Sequence, residues 1–261
     1  MISQGDFERY DRALITNSNL AIKAVGELLQ QVEGQPRDEV HSFLFSAYPD
    51  IVAAYGERAA AVAVEFYDEQ RELAHVKIDY DAEIPDLSGY IYKLQGDVSR
   101  TTSQYSELEK IVATLQGYAS RRTYEYADET ITYNSKRDNA HPRWALVPHA
   151  GACAWCILLA SQGFVYRSSN TVSRHAHCRC TPTPEFDGGG LEGYDQDKYL
   201  DAYSKARDRA VKDARADWES MSKDERAKYT RNGRTPSYDA YLRNRIVGQM
   251  AHDLGIPAHK H

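Results

Sequence analysis

The sequence predicts a mainly α-helical protein with a small α+β lobe pinned by cysteines and histidines. Three observations predict it. Apolar residues recur at three- and four-residue steps through the first 135 residues and again near the end. Residues 136–187 then turn rich in Pro, His, Cys, Ser and Thr. All four cysteines fall in that second stretch, as Cys153-x-x-Cys156 and Cys178-x-Cys180. The expected division is a helical body over 1–135, a Cys/His lobe over 136–187, and a linker with charged helices over 188–261.

The helical body is justified element by element. Phe7, Tyr10, Leu14, Ala21, Val25 and Leu28 mark one face of a helix over 3–31, with Ser3 and Asp6 as an N-cap pair. Gly34 and Pro36 break the chain, and Pro36 suits the first turn of a second helix carrying Val40, Phe43, Leu44 and Ala47. Pro49 is expected to interrupt it, so that a third helix runs to about Leu73 through Ile51, Tyr55, Val62 and Phe66. Residues 76–86, VKIDYDAEIPD, alternate apolar and acidic side chains before a proline, which reads as a short strand or an extended link. Helical spacing returns over 89–134, with Leu108, Ile111, Val112, Leu115 and Ala119 on one face and Gly96 and Gly117 as weak points. These stripes are the faces of a core.

In the lobe, Trp144, Leu146 and Val147, and later Phe164, Val165 and Tyr166, suggest short strands. The segment TPTPEFDGGGLEG reads as a linker, 195–218 as a charged helix, and 236–254 as a last helix after a short helix and turn. Gly188, Gly190 and Gly193 match G-x-G-x-x-G, but no strand-turn-helix unit surrounds them, so no dinucleotide site is expected.

Composition narrows the function classes. No run approaches 18 apolar residues, which excludes a transmembrane helix, and the first 30 residues lack the apolar region of a signal peptide. Both point to a reducing cytoplasm, where clustered cysteines serve as metal ligands or redox groups more often than as cross-links. Net charge is −6, yet residues 197–261 hold 14 Lys and Arg against 10 Asp and Glu, a net of +4. The rest holds 18 against 28, a net of −10. A basic tail on an acidic body could touch nucleic acid through phosphate contacts or an acidic protein surface, or could be a solvated helix of mixed charge.

C-x-x-C lets a tight turn aim two sulfurs at one point, and a closed tetrahedral zinc site needs two further ligands. His175, His177, Cys178 and Cys180 are available. His175 with Cys178, His177 with Cys180, and Cys178 with Cys180 all have workable spacing, and spacing does not choose among them. The lobe has few large apolar side chains, so a structural zinc would supply stability that its core lacks. A catalytic zinc is not expected: H-E-x-x-H is absent, and so is the deaminase signature. An HNH-type nuclease or toxin would use His175 or His177, with His141 and His149 upstream, but no paired acids accompany them. A zinc-dependent DNA-binding module would need a basic lobe, and residues 145–185 hold only Arg167, Arg174 and Arg179, against Glu185.

RWALVPHAGACAWCILLASQGFVYRS followed by HAHCRCTPTP resembles the signature of the Mu F-like minor head proteins of tailed bacteriophages, in the form found in phages of actinobacteria. The matching positions are Trp144, Cys153, Cys156, the run from Leu158 to Ser161, Tyr166, Arg167, His175, Cys178 and Cys180, and the likeness covers 144–182 closely. The resemblance implies a capsid maturation or head morphogenesis protein with no established chemical activity. It would be packaged inside the procapsid near the portal protein, after assembly in the host cytoplasm, with portal, scaffold or major capsid protein as partners. It also implies a ligand set of Cys153, Cys156, His175 and Cys178, with His177 and Cys180 as alternates.

Overall fold

The computed structural model describes residues 1–167, 178–230 and 235–258. Among these residues it is mainly helical, as expected, with one two-stranded sheet. The chain divides into two compact units: Met1–Ala145 with Phe164–Gly193, and Leu146–Gly163 with Tyr194–His261.

The first unit is built on four long helices. Helix α1, Gln4–Gln30, starts where the Ser3 hydroxyl accepts the Asp6 N–H, and it buries Tyr10, Leu14, Ala21, Val25 and Leu28, the face its spacing predicts. Helix α2 runs unbroken from Arg37 to Leu73, so Pro49 does not end it. Pro49 removes one helical N–H bond. That loss is offset because Leu44, Tyr48 and Val52, on either side of it, are fully buried, and the Tyr48 hydroxyl donates to Leu115 O at 3.3 Å. Helices α3, Tyr90–Gln104, and α4, Leu108–Arg137, are separated at Tyr105 to Glu107, and both suspected glycines lie inside helices. Tyr105 and Glu107 are extended there, while Tyr105 and Leu108 pack on the core. Packing chose the break, and glycine did not. At Gly56 the absent Cβ matters: the Tyr126 ring lies where it would stand.

Strand β1, Arg143–Val147, pairs with strand β2, Thr181–Glu185. β2 is TPTPE, which the sequence marked as linker. Prolines are tolerated in a sheet this small because an edge strand has N–H groups that need no partner, and all five residues are buried. On the other side of β1, Trp144 and Tyr166 form an antiparallel bridge with rings stacked at 4.5 Å, so the predicted second aromatic strand is a single bridge. The glycine turn that follows β2 takes left-handed backbone at Gly188, Gly190 and Gly193, and Ile2 pairs with Leu191 across it.

The second unit holds α5 (Ala154–Ala160), α6 (Gln196–Ala210), α7 (Ala214–Ser220), α8 (Lys223–Ala227) and α9 (Tyr238–Leu254). Its core is Ala154, Ala206, Ala210, Ile246, Val247 and Met250, where small residues let helices approach closely. The charged helix expected over 195–218 is two helices, because Asp213 takes left-handed backbone between them. Asp195, Ser222 and Ser237 cap α6, α8 and α9 with their side chains.

Candidate metal centre

The two cysteine motifs are positioned by short local elements. Gly151 turns the chain with positive φ, Cys153 is the extended N-cap residue of α5, and Cys156 lies in the first turn of that helix. Cys178 and Cys180 lie in irregular backbone that runs directly into β2. All four cysteines are buried.

The sulfurs of Cys156, Cys178 and Cys180 all lie within 4.8 Å of one another. A zinc ion with Zn–S bonds of about 2.3 Å sets tetrahedral sulfurs roughly 3.8 Å apart, a separation inside that limit. The donor chemistry fits as well: three soft ligands converge in a dry volume, where uncompensated thiolates would be costly. Cys180, an alternate in the sequence reading, is one of the three. Cys153 is buried but is not in this group. His175 and His177 lie outside the described residues.

Among the described residues no other set of three His, Cys, Asp or Glu side chains converges. His141 is exposed on left-handed backbone, and the His149 ring meets Ala150 O. Neither stands in a carboxylate cluster. No described helix is long and apolar enough to cross a membrane.

Sequence reasoning missed the buried polar groups of the body. Asp97, fully buried on α3, accepts two hydrogen bonds from Arg122 of α4, at 2.8 and 2.9 Å. Asp138, also fully buried, accepts from Arg71 Nε at 2.6 Å and from the Tyr67 hydroxyl at 3.2 Å. Burial, and then the Asp138 charge, raises the Tyr67 hydroxyl well above its ordinary value, so it stays a donor. These partners are 25 and 67 residues apart, and no local pattern announces them.

Comparison with known proteins follows the same chain. A family model described as VG15 protein matches residues 1–206. The Gene 15 protein of Mycobacterium phage D29 is 25% identical over 134 residues, which is 49% of this chain and 48% of that protein. The chain thus spans about half the length of the curated relative it matches. No solved structure matches. With the family model covering most of its length, this phage-related chain belongs to the VG15 protein family.

Proposed function

We propose that the protein is a minor head component of a tailed phage, of the Mu F-like kind, with a structural and not a catalytic role. The observation that carries this reading is the match of residues 1–206 to the VG15 family model, together with the 25% identity to a phage protein over 134 residues. The cysteine signature around Trp144 to Cys180 supports the narrower assignment to head morphogenesis. In this reading the protein enters the procapsid beside the portal, and its body contacts portal, scaffold or major capsid protein. The basic C-terminal region faces packaged DNA through phosphates.

Cys156, Cys178 and Cys180 would hold a zinc ion, with the fourth ligand drawn from Cys153, His175 or His177. When bound, the ion supplies structural stability, and no reaction.

The test is co-expression with the neighbouring genes. Mass spectrometry of purified procapsids should find the protein at low copy number, and deletion of its gene should give malformed heads. A protein absent from procapsids and virions, or one that nicks DNA in a metal-dependent assay, would overturn the reading.

A further inference from the structure

Twelve large apolar side chains are exposed among the described residues, and five of them fall within twenty positions: Leu73, Ile78, Ile84, Ile91 and Tyr92, between 37% and 77% exposed. They line the connection from the end of α2 to the first turn of α3. Scattered exposed apolar residues need no explanation, but a concentration of this kind does. Four acids are exposed in the same stretch, Asp79, Asp81, Glu83 and Asp86, against one exposed lysine, Lys77. Glu83 is already met by Arg137 at 3.7 Å and by the Tyr133 hydroxyl at 2.9 Å, which leaves three acids for a partner.

The segment has no regular structure, yet it is held firmly. Arg71 donates to Ile78 O at 2.6 Å and to Tyr80 O at 3.1 Å. The fully buried Asn134 accepts the Tyr80 hydroxyl at 2.7 Å and the Glu83 N–H at 3.0 Å, and it donates to Glu83 O at 2.9 Å. Asp68 accepts the Ala82 N–H at 3.3 Å. Backbone groups that a strand would pair with another strand are captured here by side chains of α2 and α4. The result is an irregular arm with two isoleucines exposed and a backbone held in place.

We propose that the 73–92 arm is a docking site for a positively charged partner segment bearing apolar side chains. The isoleucines would be covered by its apolar face and the acids met by its lysines or arginines. Because the arm is already ordered, binding does not have to bear the entropy of fixing it. The sign of the charge excludes nucleic acid. It also disfavours a second copy of the body, since residues 1–196 hold 18 basic against 28 acidic side chains. This inference stands apart from the head-assembly reading.

The probe is a fluorescent amphipathic helix of about 14 residues, four turns built of Leu and Lys. Controls replace Lys by Glu or Leu by Ser. Fluorescence anisotropy with the full chain should show binding of the Leu/Lys peptide that weakens at high salt. Ile78→Ser with Ile84→Ser, and separately Asp79→Asn with Asp81→Asn, should each weaken it about tenfold or more. All four positions are exposed, so the fold should persist, and thermal melts check that it does. Leu20→Ser, an exposed site on α1, should change nothing. Failure of the wild-type chain to bind, equal binding of the Glu peptide, or unchanged binding by both arm variants would overturn the proposal. So would a wild-type dimer that Ile78→Ser with Ile84→Ser dissolves, because the face would then belong to a second copy.

Discussion

Arg71→Met is the substitution on which the account of the helical body is most exposed. The Arg71 side chain is 10% exposed and its partner Asp138 is not exposed at all. One guanidinium joins three parts of the first unit: α2, which carries it; the C-cap of α4, through Asp138; and the arm, through two carbonyls. Methionine keeps much of the packing volume and removes every donor. Among the described residues it leaves buried Asp138 with the Tyr67 hydroxyl and the Ala140 N–H as partners of its carboxylate. Breaking one side of a buried pair costs about 3–5 kcal/mol, and each released carbonyl adds up to about 1 kcal/mol where water cannot replace the bond. For a unit of this size about 1 kcal/mol corresponds to 2–4 °C, so the first unit should melt roughly 10 °C lower. Calorimetry measures this, and a cycle with Asp138→Asn should show a coupling above about 1.5 kcal/mol. Hydrogen exchange adds a second readout: amides of 77–86 should exchange faster, while those in the middle of α1 change only with global stability. A loss below about 0.5 kcal/mol, additive single effects, or an arm protected as before would refute the reasoning.

Other predictions follow from single contacts. Hydrogen bonding from Ser3, and then from Arg9, holds the Asp6 carboxyl below its ordinary value of 3.8. Its contribution is therefore full above that value and is lost as pH falls through the lower folded value. Ser3→Ala should cost about 1 kcal/mol near neutrality and flatten the acid limb of thermal stability between roughly pH 5 and 2, whereas an unchanged acid limb would contradict the pairing. Gly56→Ala should destabilise by up to about 2 kcal/mol, because its Cβ would stand 2.7 Å from the Tyr126 ring, which is buried and packed on Tyr90. Overpacking of about 1–3 kcal/mol there exceeds the roughly 1 kcal/mol gained in helix propensity, and a variant of higher melting temperature would show that the ring yields. Purified protein should contain about one zinc per chain, lost in Cys156→Ser, Cys178→Ser and Cys180→Ser. A strong chelator should lower the melting temperature of wild type but not of these variants, and full metal content in any one of them removes that cysteine from the ligand set.

What the sequence disclosed depended on how local the signal was. The stripe of α1 was legible because one helix face faces one core, and Tyr10 through Leu28 are buried at the predicted positions. The cysteine window was legible because four soft donors sit within 28 residues, although spacing left every pairing open and the meeting of Cys156 with both Cys178 and Cys180 is a tertiary fact. Pro49 and the TPTPE strand misled for one reason: proline carries a local cost, and burial of Tyr48 and Val52, or of all five β2 residues, outweighs it. Residues 76–86 were ambiguous between strand and link because alternation encodes extended backbone and nothing about its partner. Here the partners are Arg71 and Asn134, whose side chains stand in for a neighbouring strand.

The same locality explains why buried charge occurs in this body at all. Leu, Val and Ala on long helix faces are nearly interchangeable, so α2 and α4 could slide by a turn with much of their apolar area still covered. A slide would strand Asp138 without Arg71. A similar shift of α3 against α4 would strand Asp97 without Arg122. Each stranded carboxylate costs several kcal/mol, comparable to a large share of a domain's net stability. The two pairs therefore reject wrong registers that the apolar stripes tolerate. Because Arg71 also holds the arm, the register that satisfies Asp138 also sets where Ile78 and Ile84 are exposed. Position on the surface is thus set by a charge pair in the interior.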